Sequence, residues 1–174
     1  MTRAQFVQQN FAAVNQLTQG TGLFPLTVLS VAILESSENG QVGASSLAAN
    51  YNNYFGIKAS PDWTGQTVDI QTEEYDNSGN PYTTTATWRV YPSFAASAAD
   101  YVNLITGDSR YADVLTAPDT TTQFQLLQQD GYSTSSSYTA LLIDVYNSIR
   151  GFVSSAPGSG LAALLLIAFF LRSL

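Results

Sequence analysis

The chain has 174 residues, a formal charge of −7, 45% hydrophobic residues and only 11% charged ones, which suits one packed domain and is short for two. The acidic balance argues against nucleic acid as a partner and against electrostatic capture by anionic lipid or wall polymers. Cysteine and histidine are absent, which excludes disulfides, thiol nucleophiles, histidine-based triads and the usual zinc sites, so no metal or cofactor is expected and any catalysis must rest on carboxylates and tyrosines.

Met1 to Gly20 is predicted helical: Phe6, Val7, Phe11, Val14 and Leu17 recur at spacings of three and four, and Thr2 suits the N-cap. The segment lacks the basic start and continuous apolar core of a secretory signal peptide, so none is expected. Pro25 suits the first position of a second helix. That helix runs to about Glu35 and is apolar nearly all round, as befits the centre of a domain. A carboxylate is an unusual ending for such a run. Burial disfavours its ionised form, and the negative end of the helix dipole acts in the same direction. Glu35 is therefore a candidate general acid, able to hold its proton near neutral pH. The competing reading makes Glu35 the first residue of a solvated loop, with Glu38 following it outward.

Ser36 to Ser46 reads as a flexible connection and Leu47 to Tyr54 as a short helix. Asn50 to Lys58 then places Asn50, Asn52 and Asn53 among Tyr51, Tyr54 and Phe55. Amides pair with hydroxyls and rings stack on pyranose faces, so this cluster suits a sugar site. It equally suits a turn whose Asn side chains bond backbone. Between Trp63 and Tyr91 the period changes to two, with a strong turn signal over Asp76 to Pro81. Two strands and a hairpin are predicted, with room for a short third strand. Helical patterns return at Phe94 to Leu104, briefly at Tyr111 to Leu115, and at Thr120 to Gln129 and Ser137 to Phe152. The class is α+β: two helices, a small antiparallel β-hairpin lobe, then three helices.

The end of the chain is different. Residues 153–160 read as a Ser/Gly/Pro linker, and Leu161 to Leu171 is unbroken apolar sequence. Those eleven residues as helix span only about 17 Å of a hydrocarbon core about 30 Å thick. The 21 residues between Arg150 and Arg172 carry no charge, however, which is long enough to cross. Residues 161–174 are thus expected to be a hydrophobic C-terminal helix that anchors the chain to a membrane, or else packs on the domain or a partner subunit.

Two sets of carboxylates stand out: Glu35, and Glu73/Glu74 on the β lobe. Glycoside hydrolysis commonly uses such a pair. The residues also carry a resemblance. Ala32-Ile33-Leu34-Glu35-Ser36, Leu47-Ala48 and Asn52-Asn53-Tyr54-Phe55-Gly56-Ile57-Lys58 resemble the signature of glycoside hydrolase family 73, the peptidoglycan endo-β-N-acetylglucosaminidases. The likeness continues through Trp63-Thr64-Gly65-Gln66-Thr67-Val68, Thr72-Glu73-Glu74-Tyr75, Trp88-Arg89-Val90-Tyr91, Asp100-Tyr101, Arg110-Tyr111 and Gly131-Tyr132-Ser133-Thr134, to Tyr138 and Leu141.

The resemblance implies a lysozyme-like domain over residues 1–152, with a groove between its lobes. It implies Glu35 as catalytic acid, Glu74 (before the aromatic Tyr75) rather than Glu73 as the second acid, and Tyr132 as the motif tyrosine. Asn53, Phe55, Trp63 and Tyr138 are the expected substrate-binding residues. The implied partner is the peptidoglycan glycan strand, cut between N-acetylglucosamine and N-acetylmuramic acid by an inverting or a substrate-assisted route. Two departures touch the groove: the loop Ser37–Gly43 is longer than the family pattern and lacks its Trp, and Ser135-Ser136-Ser137 replaces the usual Asp-Pro. The expected location is a membrane, either of a bacterial envelope or of a virion with other viral subunits. The rival readings are a lytic transglycosylase and a non-catalytic, membrane-held wall-binding subunit.

Overall fold

The computed structural model describes residues 1–75 and 80–153, with the backbone alone for residues 72–75 and 81. Its elements in chain order are α1 (Arg3–Thr18), α2 (Pro25–Ser36), α3 (Ser46–Tyr51), β1 (Thr67–Tyr75), β2 (Pro81–Arg89), α4 (Phe94–Gly107), α5 (Thr120–Gln129) and α6 (Tyr138–Ile149). Two 3-10 turns, Ser109–Tyr111 and Val114–Thr116, join α4 to α5. The predicted α+β order is present. The expected hydrophobic C-terminal helix lies outside the described residues, as do the linker from residue 154 on and the tip of the hairpin at residues 76–79. Among the described residues no helix is long and apolar enough to cross a membrane.

Helix α2 is the axis of the helical lobe. Thr27 to Ile33 are all buried, and the helix packs against α1, α4, α5 and α6. Val28, Leu29, Val31 and Ile33 are fully enclosed, and each such side chain contributes roughly 1.5–3 kcal/mol of burial. The start of α2 has Pro25 at its first turn and no cap from its own N-cap side chain. Gln123 of α5 supplies the missing acceptor: its Oε1 takes hydrogen bonds from the Phe24 amide and the Thr27 hydroxyl. The Nε2 of the same side chain donates to the carbonyls of Gly22 and Val114. One buried amide thus fixes where α2 begins, and with it where Glu35 stands.

The segment after α2 is a pinned turn, not the flexible connection predicted. Glu38 and Gln41 exchange both backbone hydrogen bonds around Asn39 and Gly40, and both central residues have positive φ, the geometry that an Asn-Gly pair favours. Val42 is buried and its amide donates to the Met1 carbonyl. Gly43 N–H donates to the Ser36 hydroxyl. Farther on, the helix predicted over Leu47–Tyr54 stops at Tyr51, because Asn52 takes a left-handed conformation and ends the turn there.

β1 and β2 pair antiparallel from Thr67↔Arg89 to Tyr75↔Pro81. Val68, Ile70, Ala86 and Trp88 share a half-buried face, and Asp69, Gln71, Thr85 and Thr87 lie on the exposed one, as the period of two requires. Thr72 to Tyr75 continues β1, so the described sheet has two strands. The place of a short third strand is taken by a single bridge between Lys58 and Trp88.

Candidate active site

Glu35 is the penultimate residue of α2 and stands half-buried in the wall of a groove of about 520 Å³. Residues Phe55 to Lys58, Ser60 and Arg89 line it from the β-lobe side of the chain. Leu104, Arg110, Tyr111 and Gly131 to Ser133 line it from the helical side. Burial pushes the Glu35 carboxyl above the ordinary carboxylate range, against a smaller opposing effect of the Tyr138 hydroxyl beside it. Gly56 brings backbone close to the acid: it has φ +60°, and a Cβ there would lie 3.7 Å from Glu35 Oε2.

Behind the acid lies a tyrosine cluster. Tyr101 and Tyr132 meet edge to face at 5.6 Å between centroids, Tyr132 and Tyr138 lie 6.1 Å apart, and Phe55 stacks on Tyr101 at 4.4 Å. Burial holds the hydroxyls of Tyr101, Tyr132 and Tyr138 far above the usual phenol range, and the Glu35 carboxylate adds to the shift in each. They therefore stay protonated. Tyr132 donates to the Phe55 carbonyl at 3.0 Å. The hydroxyls of Tyr101 and Tyr138 are buried without a partner in hydrogen-bond geometry. Several neutral phenols around one carboxyl group make a site that is apolar in contact and polar at a few atoms, which is the usual make-up of a sugar-binding cleft.

The other expected site residues fall in different places. Asn53 is buried under the groove, where its amide donates to the carbonyls of Ile57 and Arg89 and accepts from the Ile57 amide. Asn52 donates to the Tyr91 carbonyl and Asn50 to that of Ser46, so each of the three Asn side chains bonds backbone. The Phe55 ring is likewise enclosed; Phe55 supplies the carbonyl that Tyr132 holds. Tyr138 is buried beside Glu35. Trp63 stands apart from the acid, in a second cavity of about 470 Å³ with Gln66, Tyr91 and Asp100. The Arg89 guanidinium lies 4.5 Å from the Trp63 ring, between the two cavities.

Arg89 was not singled out from the sequence, yet it ties the lobes together. It pairs with Asp100 of α4 at 2.8 Å, donates to Ser60 and to the Lys58 carbonyl, and shares Asp100 with the Tyr91 hydroxyl. The alternating strand pattern ending in Arg89, followed five residues later by the α4 helical pattern, was the available signal. Glu74 pairs with Tyr82 in the backbone register, and its side chain is not among the described atoms. Among the described residues no group of three acids could hold a metal.

Residues 11–151 match the family model described as mannosyl-glycoprotein endo-beta-N-acetylglucosaminidase. The chain belongs to this family. Within the glucosaminidase family, it is 34% identical over 146 residues to the peptidoglycan hydrolase FlgJ of Escherichia coli K12, an alignment covering 83% of this chain and 46% of that one. It is also 34% identical over 164 residues to a probable N-acetylmuramidase of Lactococcus lactis, covering 88% of this chain and 36% of the relative. The chain thus spans less than half the length of either relative. Among solved structures, the catalytic domain of the Listeria monocytogenes autolysin Auto is similar at a TM-score of 0.72 and 28% identity, with 86% of each chain covered. Family membership makes this a glycoside hydrolase of mixed helical architecture with a two-stranded sheet.

Proposed function

We propose that this glucosaminidase-family domain hydrolyses peptidoglycan, cutting the β-1,4 bond between N-acetylglucosamine and N-acetylmuramic acid with Glu35 as the proton donor. The observation that carries the proposal is the half-buried Glu35 carboxyl, pushed up by burial, in the wall of a groove backed by tyrosines. A carboxyl that keeps its proton near neutral pH can protonate the glycosidic oxygen as the bond to the anomeric carbon breaks. The carboxylate left behind lies beside the neutral hydroxyl of Tyr138, which lowers the cost of its charge.

Glu74 is the proposed second acid, activating water or positioning the substrate acetamide. Its place just before the aromatic Tyr75, as in the family motif, favours it over Glu73. Asn53 and Phe55 support the groove from beneath in this scheme, Tyr138 stands beside the acid, and Tyr132 holds the Phe55 carbonyl.

The proposed catalytic domain is 1–152, near the matched span of 11–151. Residues 153–160 are the proposed linker. Residues 161–174 are the proposed membrane attachment, in a bacterial envelope or a virion membrane. A chain ending at Ser155 that still pelleted with membranes would overturn that attachment.

The test of the activity is clearing of purified wall by Glu35→Gln, which should fall at least a thousandfold; clearing near wild type would overturn the role of Glu35. Mass spectrometry of the products decides the bond. A reducing N-acetylglucosamine end supports the proposal. The likeness to a probable N-acetylmuramidase favours one second reading, which a reducing N-acetylmuramic acid end would establish; an anhydro end would establish a transglycosylase.

A further inference from the structure

Two side chains at the base of the hairpin converge on one oxygen atom of the helical lobe. Arg89, the last residue of β2, donates from Nη1 to Asp100 Oδ2 of α4 at 2.8 Å. The Tyr91 hydroxyl donates to the same Oδ2 at 2.6 Å. The side chains of the ion pair are only 12% and 19% exposed, too enclosed for water to replace either partner. The rest of the guanidinium is used as well: Nη2 donates to the Ser60 hydroxyl at 3.1 Å and Nε to the Lys58 carbonyl at 3.3 Å. It lies 4.5 Å from the centre of the Trp63 ring, whose indole N–H donates to the Gln66 carbonyl. Three nitrogens in one plane therefore bind a carboxylate of α4 and two points of the chain between α3 and β1. A rigid guanidinium fork can do this; an ammonium cannot.

The chain so held is a wall of the groove. Phe55 to Lys58 and Ser60 line it, and a Cβ at Gly56 would lie 3.7 Å from Glu35 Oε2. The Arg89 amide donates to the Ile57 carbonyl and the Ala59 amide to that of Thr87, so the wall and β2 form one piece. The two strands pack chiefly on each other, which leaves the placing of that piece to its base. Asp100 and Tyr91 do not line the groove; they line the cavity beside Trp63.

We propose that Asp100 is a positioning residue that acts through Arg89, holding the 55–60 wall of the groove in place against Glu35. This rests on the glycosidase reading above. Tyr91 steadies the same carboxylate oxygen. A wall displaced by about 1 Å would misplace a bound sugar relative to the acid, enough for a large loss of rate. It would also admit water to the Glu35 carboxyl, whose proton is held by burial. The titratable groups around Glu35 are the phenols Tyr101, Tyr111, Tyr132 and Tyr138 and the cations Lys58, Arg89 and Arg110. Tyr91→Phe and Arg89→Lys leave the charge of each unchanged.

The experiment measures kcat, KM and the pH dependence of kcat/KM on soluble wall fragments for Asp100→Asn, Arg89→Lys and Tyr91→Phe, each well below its melting temperature. Asp100→Asn and Arg89→Lys should lose about tenfold or more in kcat, with KM changed less. Tyr91→Phe should lose a smaller, severalfold amount. In all three the alkaline limb of kcat/KM should move to lower pH, because a hydrated carboxyl gives up its proton more readily. A merely structural pair would lower the melting temperature and leave kcat and the alkaline limb of the folded enzyme where they are. That result would overturn the inference and leave the glycosidase reading standing. A wild-type enzyme that releases no fragments, or a Glu35→Gln variant as active as wild type, would overturn that reading and the inference with it. Were Asp100→Asn not to fold, the two charge-conserving variants still decide.

Discussion

The Tyr132 hydroxyl donates to the Phe55 carbonyl at 3.0 Å across 77 residues of sequence. The bond ties the loop after α5 to the loop after α3, and those two loops are opposite sides of the groove beside Glu35. Its removal should therefore be felt in stability and in catalysis. Tyr132→Phe should cost about 1 kcal/mol, the net value of a hydrogen bond, or about 3 °C in melting temperature for a domain of this size. It should also lower kcat, because the two loops it joins flank Glu35 in the groove. Thermal melting together with steady-state kinetics checks both, and a lowered melting point with kcat unchanged would make Tyr132 a structural tie alone.

Glu35 should weaken the fold that it serves. Its folded-state pKa is raised above the ordinary value of 4.5, so its favourable contribution is complete below about that pH and is lost as pH rises through the folded value. Glu35→Gln should consequently melt several degrees above wild type at pH 8 and at nearly the same temperature at pH 4. On the proposed role of Glu35 as proton donor, the same raised pKa should set the alkaline limb of kcat/KM, with activity falling as the acid loses its proton. Melting curves at the two pH values and a pH–rate profile measure these effects, and a variant that is no more stable at pH 8 would contradict the assigned burial.

Asn53 should behave as a buried strut. Asn53→Ala leaves the carbonyls of Ile57 and Arg89 and the Ile57 amide without their partner, at a cost of about 2–3 kcal/mol. Asn53→Asp should be worse at neutral pH, because a carboxylate would face two carbonyl oxygens. The folded-state pKa of that carboxyl would be raised, so the variant should recover stability as pH falls. Urea denaturation at pH 5 and pH 8 distinguishes the two substitutions; equal stability of Asn53→Asp at both would exclude the strut.

Gln123 is expected to matter more than its place on a short polar helix implies. Gln123→Leu keeps most of the volume and removes four hydrogen bonds to Gly22, Phe24, Thr27 and Val114. The buried groups left unpaired should cost about 3 kcal/mol or more. Since these groups set the start of α2, activity per folded molecule should also decline. Denaturation midpoints and active-site-normalised kinetics test this, and full activity would show that α2 is placed without the clamp.

What the amino-acid sequence determined on its own was everything that depends on local periodicity and local chemistry. The apolar run from Pro25 to Ile33 demanded a buried helix, and a carboxylate at its end was conspicuous without any structure. The switch to a period of two announced the hairpin, and Thr2 and Pro25 acted as their local geometry requires. The tertiary structure decided which side chains meet. Asn53, Arg89 and Gln123 bond groups 36, 29–31 and up to 101 residues away, and no pattern over a window of a dozen residues can register such partners. The same limit explains why Phe55 turned out enclosed and Trp63 separate from the acid, and why three cations scattered over some fifty residues share one groove. Periodicity says which face of an element is buried; only the closed fold says against what.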